Sequence, residues 1–137
     1  MANDPKIDYD WATVGVDALV DELDGGGTLT FYEGNGDGIP ATADAAITDQ
    51  NVLCAITTPA PSFGAGANGV AAKAGVWSGA VILGGEPAFF RLVTGTRAGQ
   101  GTVGLAAGTF DLEFATVTWL LGGTVTISTF NTSLPRE

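Results

Sequence analysis

Histidine is absent from this 137-residue chain. With it go the commonest general base, the usual Ser-His-Asp triads and most transition-metal sites. Cysteine occurs once, as Cys54 inside Val52-Leu53-Cys54-Ala55-Ile56. One cysteine closes no internal disulfide, so the composition fits a protein made in a reducing cytosol, with Cys54 read as a small buried hydrophobe. No apolar run approaches the roughly 18 residues that span a bilayer, and the opening Met1-Ala2-Asn3-Asp4-Pro5 lacks the basic and apolar regions of a secretion signal. A soluble protein with no membrane partner is expected.

Basic residues are scarce too: five Lys and Arg face fifteen Asp and Glu, for a formal net charge of −10. Residues 1–49 carry eleven of the acids against Lys6 alone, while residues 50–137 carry four of each sign. Such a chain has no Lys/Arg stripe for phosphates and repels a polyanion, so nucleic acid is not an expected partner. The carboxylates either solvate an exposed face or meet a partner with a basic one.

What the chain does contain is 21 Gly, many Thr, and short bursts of β-branched and aromatic residues between Gly-rich breaks. That is the composition of short strands and tight turns. The length suits one domain. Residues 1–12 alternate Lys6, Asp8 and Asp10 with Ile7, Tyr9 and Trp11, as an extended arm would, seated on its own core or on a neighbour. Thr13 can cap a short helix over about 14–24, with Val16, Leu19, Val20 and Leu23 on one face, and Gly25-Gly26-Gly27 stops it. Within a domain of residues 13–137, period-two patterns predict strands at Thr28 to Glu33, Val52 to Thr57, Ala88 to Thr94 and Thr109 to Phe114. In Thr124 to Leu134 the apolar phase slips between Ile127 and Phe130, which a β-bulge would explain. The expected fold is all-β: an antiparallel, jelly-roll-like β-sandwich of seven or eight strands with an N-terminal arm and one short helix.

The search for chemistry finds little. Ser62, Ser78, Ser128 and Ser133 lack the G-x-S-x-G elbow of serine hydrolases. Asp111 and Glu113 share a strand face but read as the solvent half of an amphipathic strand rather than a glycosidase pair. Gly34-Asn35-Gly36-Asp37-Gly38 lacks the Gly-Lys-Ser/Thr ending of a phosphate loop. Glu33, Asn35, Asp37, Gly38 and Asp44 fall at positions 1, 3, 5, 6 and 12 of a calcium-loop pattern, although Pro40 interrupts it and a strand precedes it; a plain acidic turn is the alternative. No enzyme activity, cofactor, catalytic residue or metal site is expected.

A likeness runs through the chain. The predicted N-terminal arm and short helix, then Gly27-Thr28-Leu29-Thr30-Phe31-Tyr32, Ala41-Thr42-Ala43-Asp44-Ala45-Ala46, Val70-Ala71-Ala72-Lys73-Ala74-Gly75-Val76-Trp77, Ala88-Phe89-Phe90-Arg91, Gln100-Gly101-Thr102-Val103-Gly104, Asp111-Leu112 and Val125-Thr126-Ile127-Ser128-Thr129-Phe130 follow one another in an order that resembles small tailed-bacteriophage virion proteins of the capsid cement or decoration type. The resemblance spans most of residues 14–135; the acidic turn Glu33 to Pro40 is longer than the group's. It implies a jelly-roll-like protein on the outer surface of a phage capsid, made in the host cytoplasm. Its partners would be the major capsid protein and copies of itself, as dimer or trimer. Ile7, Tyr9, Trp11, Phe63 and Trp77 are then candidate contact residues, because aromatic anchors dominate interface energetics; Phe63 and Trp77 read equally as core. Two other functions compete: a neck, tail or fibre component of the virion, and a carbohydrate- or receptor-binding module stacking a sugar on Trp77 or Trp119.

Overall fold

The computed structural model describes residues 26–67, 70–94 and 98–133, together with Asp21. The expected arm (1–12), with Ile7, Tyr9 and Trp11, and the expected helix (about 14–24), Asp21 apart, lie outside the described residues. What is described is all-β. Nine strands follow in order: β1 (Thr28–Glu33), β2 (Val52–Thr57), β3 (Val70–Ala72), β4 (Trp77–Ala80), β5 (Pro87–Val93), β6 (Ala98–Leu105), β7 (Leu112–Phe114), β8 (Thr124–Ile127) and β9 (Asn131–Ser133). No helix among the described residues is long and apolar enough to cross a membrane.

Five strands form one sheet in the order β2-β1-β5-β6-β7. β1 is the spine. Its alternation puts Leu29 and Phe31 inward, where they pair with Ile56 and Cys54 on β2 and with Leu92 and Phe90 on β5. β4 and β8 pair separately, but a Cys54–Val81 bridge and an Ile82 N–H donated to the Leu53 carbonyl (2.8 Å) set them beside β2. The sheet is thereby lengthened to β8-β4-β2-β1-β5-β6-β7 and curls about a single core. The small β3–β9 ribbon lies near one end of the curl, where Lys73, just past β3, donates its N–H to the Phe130 carbonyl.

Aromatic rings run through the inside of the curl. Phe63 meets Trp77 edge-on at 5.3 Å, Trp77 meets Phe130, Phe130 meets Phe90, and Phe31 contacts Phe90, Phe114 and Trp119 at 5.1 to 6.4 Å. Tilted and edge-on pairs of this kind add about 0.5–1.5 kcal/mol each beyond burial. The buried indoles keep their donors satisfied: Trp77 Nε1–H reaches the Ala74 carbonyl (3.1 Å) and Trp119 Nε1–H the Thr116 carbonyl (3.2 Å).

The outer face of β5 and β6 is covered by the long loop between β1 and β2. Arg91, buried on that face, donates from Nε to Gln100 Oε1 (3.0 Å) and from its terminal nitrogens to the carbonyls of Ala45 (2.6 Å) and Thr42 (3.2 Å). Gln100 Nε2 in turn donates to the Pro40 carbonyl (2.8 Å). The same face buries Phe89 fully, stacked on Tyr32 at 4.9 Å.

Three expectations need correction. The stretch from Thr124 to Leu134 is not one bulged strand: β8 pairs with β4 and β9 with β3, so the slip of phase marks a change of partner. The sheet is not antiparallel throughout, because β7 runs parallel to β6. The strand predicted from Thr109 begins only at Leu112, and Phe110 lies exposed while Leu112 and Phe114 turn inward.

Candidate contact surfaces

Phe63 and Trp77 are not contact residues. They are 3% and 0% exposed, and each packs edge-on against the other inside the curl. Trp119, 6% exposed and in edge contact with Phe31 and Phe114, is equally unable to stack on a sugar.

Four of the exposed apolar residues lie instead on two turns. Ile82 and Leu83 follow β4, Leu120 and Leu121 precede β8, and all four are exposed, the latter pair by 71% and 72%. The turns are tied together. Gly122 N–H donates to the Val81 carbonyl (3.0 Å), Val81 N–H to Gly123 (2.8 Å), and Gly85 and Trp119 exchange both backbone bonds. A Cβ placed on Gly84 would lie 3.4 Å from the Trp119 carbonyl, 3.7 Å from Leu121 N and 4.0 Å from Leu120 Cα, so the two turns are neighbours. Four exposed aliphatic side chains on adjoining turns forgo about 1.5–3 kcal/mol each when left uncovered, which favours covering them at an interaction surface. The sequence carries a sign of this surface. Ile82-Leu83-Gly84-Gly85 and Leu120-Leu121-Gly122-Gly123 are two copies of an aliphatic pair followed by Gly-Gly.

The acidic turn resolves into a hydrogen-bonded knot. Asp49 Oδ1 accepts the Asp37 N–H (3.0 Å) and the Thr48 hydroxyl (3.1 Å). That same hydroxyl also lies 2.8 Å from Asp37 Oδ2. Asn35 donates to the Asp49 carbonyl and accepts from Asn51 N–H, and Asn51 Nδ2 donates to Glu33. The Asp37 amide, more than any other group, holds the Asp49 carboxyl below its ordinary range, with the Thr48 hydroxyl helping and partial desolvation opposing. Gly36 sits beneath this carboxylate at φ 61°, and any Cβ there would overlap it. Glu33, Asp37 and Asp44 do not converge. Among the described residues no three His, Cys, Asp or Glu gather as a metal-binding group, and the turn is closed by its own side chains.

Asp111 and Glu113 are likewise occupied with backbone. Asp111 Oδ2 accepts from Thr102 N–H (2.8 Å) and Oγ1 (3.1 Å), pinning β7 to β6. Glu113 accepts the amides of Ala107 (3.2 Å) and Phe110 (3.3 Å) across the intervening turn. Cys54 is fully buried beside β4, and burial raises its thiol pKa.

No family model matches the chain, and neither a curated protein nor a solved structure matches it.

Proposed function

We propose that this chain is a non-enzymatic structural protein of a virus particle, a cement or decoration protein that binds the outside of a phage head and stabilises contacts between major capsid subunits. The observation that carries the reading is the platform of Ile82, Leu83, Leu120 and Leu121, exposed on two cross-bonded turns of an all-β domain. A cement protein needs a rigid body, an adhesive surface and no active site. The ordered likeness to small phage virion proteins supports the same reading, as does an all-β fold consistent with a β-sandwich. Strongly acidic surface around Glu33, Asp37, Asp44 and Asp49 supports solubility and keeps copies apart until an apolar face is covered.

The test is reconstitution. Shells stripped of this protein are mixed with the purified chain and with a variant carrying Leu83→Asp and Leu121→Asp. The native chain is expected to bind saturably and raise the shell's melting temperature, and the variant, with unchanged circular dichroism, to do neither. Equal binding by both would remove the platform from the interface, and binding by neither would reject the reading.

A further inference from the structure

Beside the apolar turns lies a second feature of different chemistry, a groove of about 630 Å³. Its volume is that of sites which bury a small ligand or a few residues of an extended peptide, about 300–1,000 Å³. Three of its lining side chains, Ile39, Leu105 and Phe110, are apolar and 44–50% exposed. The Phe110 ring is fixed on the backbone of β6, close enough to Gly104 and Gly108 that a Cβ at either would overlap it. The groove therefore has a preformed apolar floor.

Its charged groups among the described residues are Glu33 and Glu86, and no described Lys or Arg lines it. Both residues line it, and they are close along the chain path: a Cβ on Gly85, the residue before Glu86, would lie 3.2 Å from Glu33 Oε1. Glu33 spends Oε2 on Asn51, which orients it, while Oε1 lies near Gly85. The nearby cation, Arg91, is committed to Gln100, Ala45 and Thr42 on the outer face of β5. A cationic side chain is thus what these carboxylates lack, and aliphatic side chains are what the floor accepts.

We propose that this groove binds an extended segment of a partner protein in which a Lys or Arg stands next to aliphatic residues. The cation sits against Glu33 and Glu86, and the aliphatic side chains lie on Ile39, Leu105 and Phe110. This inference does not depend on the virion reading, since it concerns the chemistry of the bound segment and not the protein that carries it.

The experiment uses the intact chain and a peptide array in which nonapeptides permute Lys or Arg, Leu or Val, Glu and Ser at every position. Binders are expected to be enriched in a cation adjacent to aliphatic residues, and to weaken as salt is added. The best binder is then titrated by fluorescence anisotropy against native protein, Glu86→Gln and Leu105→Ser. Both positions are exposed, so the melting temperature is expected to stay unchanged while affinity falls roughly fivefold or more in each. A Thr57→Ser variant at the far end of the β1–β2 ladder from Glu33, where Thr57 pairs with Thr28, serves as the unaffected control. An array without binders, binders without a basic residue, or an affinity indifferent to both substitutions would each overturn the proposal.

Discussion

Among single residues, Arg91 is the one whose removal should cost most for its size. Its guanidinium is buried and reaches two loop carbonyls and Gln100 at 2.6 to 3.2 Å. Arg91→Ala deletes three charge-assisted bonds and leaves the carbonyls of Ala45 and Thr42 without that donor. A loss of about 2–3 kcal/mol is expected in urea unfolding, with faster amide exchange across residues 40–50. Gly101 tests packing at the same scale. A Cβ there would come within 2.6 Å of the Phe90 ring, so Gly101→Ala should cost about 1–3 kcal/mol through overpacking, measurable by the same titration. Cys54 gives a chemical readout: fully buried and with a raised pKa, it should resist iodoacetamide at neutral pH and label stoichiometrically in denaturant. Labelling of the folded protein at the unfolded rate would place the thiol at the surface. Phe63 and Trp77 show the limit of sequence reading at this scale. Aromatic residues in an Ala/Gly-rich stretch fit a sticky loop or a core equally well, and only the juxtaposition with Phe130 decides for core.

Among elements, the loop between β1 and β2 is closed by carboxylate bonds, so its order depends on pH in a definite direction. The Asp49 carboxyl is held below its unfolded value. Its contribution is therefore complete above the ordinary Asp range, about 3.9, and is lost as pH falls through the lower folded value. Hydrogen exchange of the Asp37 amide is expected to show protection at pH 6 that is lost on acidification once the Asp49 carboxyl protonates, and to show none at either pH in Asp49→Ala. Equal protection in the variant would show that the turn closes without it. The elements also divide by how visible they are in sequence. β1, β2 and β5 carry alternating or continuous apolar residues and were legible at nearly their true limits. β4 and β6 were not, because Gly79, Gly99, Gly101 and Gly104 interrupt their pattern. Gly101 and Gly104 are places where Phe90 and Phe110 rings press on the backbone, so the packing that stabilises β6 is also what hides it. The apolar turns were missed for a related reason: Gly84-Gly85 and Gly122-Gly123 read as breaks between strands, and Leu120 and Leu121 read as company for a buried Trp119.

For the whole molecule, the same division of surface recurs. One part is acidic and self-bonded around Asp37 and Asp49; another is aliphatic and uncovered at Ile82, Leu83, Leu120 and Leu121. On the proposed reading the acidic loop would serve solubility and the aliphatic turns adhesion, a division that would suit a protein held in many copies against a larger surface. All-β architecture followed from composition and periodicity. The mixed sheet did not, because the parallel return of β7 depends on Asp111 meeting Thr102, a contact that no local pattern announces.

The central proposal, a cement protein, is tested most directly by counting copies. Quantitative mass spectrometry of purified particles should give a ratio to the major capsid protein near one, or another large fraction set by capsid symmetry. A handful of copies per particle would move the chain to the neck, tail or fibre, and its absence from particles would contradict a virion role altogether.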